Sequence, residues 1–426
     1  MSTLIDPLTI KRPCRSPEFT VQDKEIRTIL CPQMAPIHFA LMQAVFENHG
    51  YRFEILPDVD RNAIEEGLRY VNNDVCYPAI VVVGQLIQAM KSGNYDPDRT
   101  ALMISQTCGG CRSTNYATFL KIAAAKAGFH HVPIIPFSVD IANGNTKGIN
   151  VAFKMLKKMF LAFLYGDLLL TLSNRCRPYE IIQGSTKVLV ERWIARLRQE
   201  ILGNKKHCVA DVAAQIVHDF DVLELNEEQT RPRVGIVGEI LVKYHPGTNN
   251  HLIALIEQEG GEVVVPNILD FMLYCLKSDE QRKRYAHVPF FAGLKSSAGA
   301  WLIERQRDKI RNILQKSRRF VPMGTIRHLI QLAEPIVSTC NHTGEGWLLT
   351  AEMVELIEEN VPNIVCVQPF GCLPNHVTGK GVLKELRSRY TQANITTIDY
   401  DPGSTEVNQL NRIKLLMAVA LRNFSK

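Results

Sequence analysis

Apolar positions along the chain follow two rhythms that alternate. Four times a short apolar run leads into a loop, then into a segment with helical apolar spacing, then into a second apolar run. The first unit predicts a strand at Arg27–Cys31, the loop PQMAPIH, a helix over Phe39–Asn48 and a strand at Tyr51–Leu56. The second predicts a strand at Ala101–Ser105, the loop TCGGCRSTN, a helix over Tyr116–Ala127 and a strand at Val132–Phe137. The third comprises Arg233–Val237, a loop around EILVKYHPGTN, the helix His251–Glu259 and the strand Glu262–Val265. The fourth comprises Asn363–Gln368, the loop PFGCLPNHVTGKG, the helix Val382–Tyr390 and the strand Ile395–Tyr400. Strand and helix periods in alternation are the pattern of βαβ units and parallel sheets.

Between the second and third units the rhythm is helical throughout. Thr146–Phe220 carries no convincing strand, Ser185–Ile201 is amphipathic and rich in charge, and Phe271–Leu332 is mostly helical. The predicted fold is α/β, with two Rossmann-like, flavodoxin-like parallel-sheet lobes joined by a helical segment. The expected boundaries are an N-terminal arm at 1–20, a first lobe at 21–145, a helical segment at 146–230 and a second lobe at 231–426. A helical insertion at about 271–332 interrupts the second lobe.

Composition narrows the class. In 426 residues, 46% hydrophobic and 22% charged describes an ordinary globular protein with room for two or three domains. The apolar runs Met159–Tyr165 and Leu168–Leu172 stop far short of the roughly 20 residues that a membrane helix needs. The N-terminal MSTLIDPLTIKRPCRSPEF lacks an apolar core for a secretory signal, so a cytoplasmic location without membrane contact is expected. A net charge of +6 is modest; the basic runs at Gln281–Tyr285, Glu304–Arg311 and Lys316–Arg319 read first as solvated helix faces. Their sharper reading is a docking face for an acidic partner protein, with Arg282–Arg284 and Arg318–Arg319 as the candidate contacts. No nucleic-acid motif accompanies them, and nucleic acid is not an expected partner.

Eleven cysteines change the picture, because a cytosolic chain gains little from a disulfide framework. Several stand where loops meet helix starts: Cys31 after the first strand, Cys76 just before Pro78, Cys108 and Cys111 in QTCGGCRSTNY, Cys340 in VSTCNHTGEGW and Cys372 in PFGCLPNH. Free N–H groups and the helix dipole there favour thiolate over thiol. Cys366 lies inside an apolar strand and can face core or site. Cys14, Cys176, Cys208 and Cys275 share no such context and read as small buried hydrophobes. A redox CxxC would leave Cys76, Cys340 and Cys372 without a role, and a structural zinc site lacks its second CxxC. Scattered single cysteines on the loops of two lobes suit an iron–sulfur cluster in the cleft, and Gly109 and Gly110 would let the backbone approach its sulfides. GCLPNHVTGKG is not a phosphate-binding loop, since its glycine spacing is wrong and Lys380 is not followed by Ser or Thr; GIVGEI lacks the three-glycine dinucleotide spacing. Glu239 and Glu345 read as helix-start residues or acid–base groups. His376 reads as an ordinary loop histidine, a ligand or a proton donor. Glu345 and His376 are the candidate catalytic residues.

Five segments taken in order carry a resemblance: NNDVCYPAIVVVGQ, QTCGGCRSTNY, GEGWLLTAEM, QPFGCLPNHVTGKG and IDYDPGSTEVNQLNRIKL. Together they resemble the activase-associated proteins of the 2-hydroxyacyl-CoA dehydratase superfamily, over most of the chain from about Glu18 onward. Benzoyl-CoA reductase-like enzymes and double-cubane cluster proteins belong to the same group. The resemblance implies an oxygen-sensitive iron–sulfur protein that takes low-potential electrons from a separate, homodimeric ATP-hydrolysing activase. It also implies a small-molecule substrate, acyl-CoA thioesters among them, and assembly as a homodimer or heterodimer. In this superfamily the dehydratases bind a 4Fe–4S cluster through three cysteines in each subunit, whereas double-cubane 8Fe–9S proteins use six. Matched motif by motif, Cys76 and Cys111 carry over first, then Cys372 and Cys340, with Cys31, Cys108 and Cys366 in reserve. The Cys108 position is often glycine in that family, which counts against it as an obligatory ligand. The expected function is a reductase or dehydratase component. The alternative is a non-catalytic electron relay or cluster carrier, which would ligate every iron where an enzyme leaves one open.

Overall fold

The computed structural model describes residues 16–72, 74–107, 110–138, 149, 151–203, 208–282 and 293–424. It contains two four-stranded sheets. The first has the order β2-β1-β3-β4, built from β1 Thr28–Cys31, β2 Arg52–Ile55, β3 Thr100–Gln106 and β4 Ile134–Ser138. The second has the order β6-β5-β7-β8, from β5 Arg233–Gly238, β6 Glu262–Val264, β7 Asn363–Pro369 and β8 Asn394–Tyr400. Every pairing is parallel, as in Thr28↔Arg52 and Thr28↔Thr100, or Val234↔Asn363 and Val367↔Ile398. In both sheets the strand order reverses at the two central strands. In open α/β sheets ligands bind outside the carboxyl ends of the strands at such a switch point.

The helices form where the apolar stripe and the caps agree. Helix α1, Pro36–Asn48, starts on a proline, three residues earlier than its periodicity suggests, because proline fits the first helical turn. Asp60 caps α2, Arg61–Tyr70, by accepting the Ala63 N–H at 2.8 Å. Helix α3, Tyr77–Lys91, is apolar on almost every side and buried on almost every side. It is followed by α4, Tyr116–Lys126. The middle of the chain is helical as expected: α5 Phe153–Cys176, α6 Ser185–Leu202 and α7 Val209–Asp221. The second lobe adds α8 Ile240–Tyr244, α9 Leu252–Gln258, α10 Ile268–Arg282, α11 Leu294–Leu314, α12 Ile326–Ala333, α13 Gly346–Glu358, α14 Leu383–Arg389 and α15 Glu406–Phe424.

Side chains alternate across a strand, so each sheet has two distinct faces. Leu30, Leu102, Ile104 and Ile134 point into a core shared with α3, α4 and the second sheet's Val234, Ile236, Val365 and Val367. Ile29, Cys31, Ala101, Met103 and Ile135 point the other way, into a core built with α1, α5, α6 and α7. The helical segment therefore covers the outer face of the first sheet, and a single core runs between the lobes. A polar tie joins the lobes as well: Asp58 accepts the Gly247 N–H at 3.0 Å and lies 3.2 Å from His245 Nδ1. Among the described residues no helix is long and apolar enough to cross a membrane.

Two basic runs differ from their reading as solvated faces. Arg307 is fully buried and pairs with Asp270 at 2.8 Å, while Arg311 pairs with Glu304 and Asp308, so acidic neighbours draw these cations inward. Arg319 donates to the carbonyls of Phe220 and Leu223 and to Glu227, and is not a free docking residue. Arg318 and Arg282 are exposed; positions 283 and 284 lie outside the described residues.

Candidate cleft site at the strand ends

Three of the expected cysteines stand at the starts of helical turns on loops that meet between the lobes. Cys76 precedes α3, Cys111 precedes the turn Arg112–Asn115, and Cys372 precedes the turn Leu373–Asn375. The loops touch one another. The Arg112 guanidinium donates to the Asp74 carbonyl, tying the Cys111 loop to the approach to Cys76. A methyl group added to Gly110 would meet Thr343 Cγ2 at 3.5 Å, which sets the same loop against the second lobe. Tyr116 Oη lies 2.9 Å from Cys76 Sγ, and the Asn375 amide donates to Cys372 Sγ at 3.2 Å.

Electrostatics link the three thiols into one site. Burial pushes the Cys76 thiol up to about 11, with Glu239 and Cys111 adding to the rise and Tyr116 opposing it. Cys111 is raised by burial and by Glu345 and Glu239, against hydrogen bonds from Ser113. Cys372 is raised by burial and then by Glu345, with Glu239 also contributing. Burial thus outweighs the helix starts expected to favour thiolate, and each thiol is a protonated, weakly hydrated donor that a metal would have to deprotonate on binding.

Two carboxylates, Glu239 at the end of β5 and Glu345 at the start of α13, close the site from the second lobe. Glu239 accepts the Val242 N–H at 2.9 Å, and Glu345 accepts the Ile240 N–H at 3.0 Å and the Asn375 amide at 2.8 Å. Both are helix-start residues, as one reading of the sequence has them; Glu345 is buried and Glu239 is half-buried. Burial and the neighbouring Glu345 charge push Glu239 up to about 8, and burial raises Glu345 as well. Two like charges this close do not both ionise readily, so the pair retains a proton near neutral pH.

Three buried polar atoms at this place have no hydrogen-bond partner: Tyr274 Oη, Asn375 Oδ1 and His376 Nδ1. Tyr274 reaches in from α10, which the sequence pattern marks only as a helix; its burial beside Glu345 and Cys111 raises its hydroxyl far above the ordinary range. Tyr116 and Tyr274 are the site residues that cysteine spacing alone does not reveal. For Tyr116 the signal exists in its position, at the helix start that follows GGCRSTN.

The remaining expected ligands are placed elsewhere. Cys31 faces the outer core of the first sheet, and burial pushes its thiol up to about 12. Cys366 is fully buried on the far face of β7, packed with Leu349 and Met353 of α13 and next to Gly379. Cys340 is exposed, and its Sγ meets Ser338 Oγ at 2.9 Å. Cys108 and Cys14 lie outside the described residues. Cys176 is buried as expected, but Cys208 and Cys275 are exposed, since each lies on the solvent side of its helix or helix start. Among the described residues no three His, Cys, Asp or Glu side chains form a site for a single metal ion. No protein-family model matches the chain, and no curated protein matches it.

Proposed function

We propose that the chain is an iron–sulfur protein whose cluster is held in the cleft by Cys76, Cys111 and Cys372. It takes low-potential electrons from a separate ATP-hydrolysing activase and acts on a small molecule as a reductase or dehydratase component. The observation that carries this reading is the convergence of three thiols from both lobes, each at a helical start, in one buried and electrostatically connected site. The donor set fits. The thiols are soft ligands, the helical starts supply free N–H groups for a negative cluster, and the unpartnered Tyr274 Oη is a hydrogen-bonding atom beside Cys111 and Glu345.

When bound, the cluster would be held by Cys76, Cys111 and Cys372 and would supply one-electron chemistry. The chain supplies the rest. The Glu239–Glu345 pair holds a proton beside the thiols, with Glu345 fixed by two hydrogen bonds. His376 follows the turn that begins at Cys372, and its Nδ1 is buried without a hydrogen-bond partner. The α3 wall and Tyr116 keep water from the Cys76 side. A relay has no need of an acid pair, so the enzyme reading is preferred.

Anaerobic reconstitution with iron and sulfide tests the proposal. Bound iron, acid-labile sulfide and absorption near roughly 400 nm are expected of a thiolate-ligated cluster. Cys76→Ser, Cys111→Ser and Cys372→Ser should each lose it, while Cys31→Ser and Cys366→Ser retain it. A colourless, iron-free protein would sink the idea. With an activase present, bleaching of the cluster should require ATP; reduction at full rate without ATP would refute the activase as electron source.

A further inference from the structure

Asn375 is completely buried and uses its one amide nitrogen twice. One N–H donates to Glu345 Oε2 at 2.8 Å and the other to Cys372 Sγ at 3.2 Å. Its Oδ1 has no partner, which is destabilising in a buried position. Its donor geometry, by contrast, is complete. The backbone fixes it: Asn375 ends the turn that Cys372 begins, the His376 N–H donates to the Cys372 carbonyl at 3.0 Å, and Pro374 sits between them. Each of the other two thiols has a side-chain donor of its own, Tyr116 for Cys76 and Ser113 for Cys111. Only Asn375 also reaches a carboxylate.

We infer that Asn375 is a positioning residue that holds the Cys372 sulfur and the Glu345 carboxylate in one register and sets the potential of whatever metal centre Cys372 ligates. The inference rests on the cluster reading above. A hydrogen bond to a ligand sulfur withdraws electron density from it and favours the reduced centre, so its loss makes the centre harder to reduce. The same nitrogen aims Glu345 at the Cys372 side of the cleft.

The experiment compares wild type with Asn375→Leu, which keeps the volume and removes both donors, and with Asn375→Ser, which is smaller. Iron content, the urea midpoint of the cluster-free protein and a mediated redox titration are measured for each. The expected result is full iron and about tenfold fewer reduced clusters at a fixed potential, which for a one-electron couple is about 59 mV toward the negative. Loss of iron with an unchanged urea midpoint also supports the role, because only the metal-holding arrangement is then affected. An unchanged potential in an iron-replete variant overturns it, and so does failure of both variants to fold, which assigns Asn375 a purely structural tie. A wild-type protein that takes up no iron refutes the cluster reading instead, and the two failures are told apart by that control.

Discussion

Gly346 decides where Glu345 points. It stands at φ 44°, a left-handed conformation, and a methyl group on its Cα would overlap the Asn341 carbonyl oxygen and the Tyr274 hydroxyl. The Trp347 N–H closes the same loop onto Asn341 at 2.7 Å. Gly346→Ala is therefore expected to cost about 1–3 kcal/mol from strain and overpacking and to turn Glu345 away from Asn375. A lowered urea midpoint together with reduced iron uptake would check this, and an unchanged midpoint would count against it. At this scale the sequence is readable where local chemistry is written locally: the cysteines before Pro78, after Gly110 and before Pro374 are visible as helix-start residues. The parity of Cys31 and Cys366 is not. A strand's period of two says that neighbours face opposite sides, but which side meets the cleft depends on packing between elements distant in sequence. Tyr274 escapes for the same reason, since nothing around it in α10 signals its approach to Glu345.

The two carboxylates are set by α8 and α13, and these helices are braced together. Lys243 of α8 and Glu352 of α13, both nearly inaccessible, pair at 2.9 and 3.1 Å. Replacing Lys243 by Met would leave Glu352 buried without its cation, a change that costs about 3–5 kcal/mol in comparable buried pairs. The double variant Lys243→Met, Glu352→Leu should recover much of the loss, which chemical denaturation of the four proteins of the cycle would measure; an equally unstable double variant would sink the brace. Helix α8 itself was hidden in an expected loop, EILVKYHPGTN, because five residues are too few for a helical period to register. The loop PFGCLPNHVTGKG likewise folds into a short turn followed by a wide-turn helix at His376–Lys380, which no apolar spacing announces. The strands are the reverse case: all eight among the described residues lie within a residue or two of the apolar runs that predict them, since buried parallel strands read as near-continuous apolar runs.

Across the whole molecule, buried acids set the response to pH. Burial, with Asp270 and Glu359 nearby, pushes Glu355 up to about 9, and burial pushes Glu352 up to about 7 against the pull of Lys243. Both values lie above the unfolded 4.5, so the folded state holds these protons longer. Their contribution to stability is complete below that value and is lost as pH rises through 7 and then 9. Glu355→Gln, which cannot ionise, should be more stable than wild type by roughly 2 kcal/mol at pH 8 and equal to it at pH 4, as urea unfolding at the two pH values would show. An equal difference at both would reject the assignment. The core that runs between the lobes has a consequence for the chain as it is made. Leu30, Val81 and Leu102 emerge from the ribosome long before Val234, Val365 and Ile413, the residues they are to meet. At roughly 5–20 residues per second, the roughly 260 positions between Cys111 and Cys372 take roughly 15–50 s to synthesise. For that interval the first lobe carries two thiols and an uncovered apolar wall. Nascent chains stalled before Asn363 should consequently bind holding chaperones and react with thiol reagents at Cys76 and Cys111, and both exposures should end once β7 has been released.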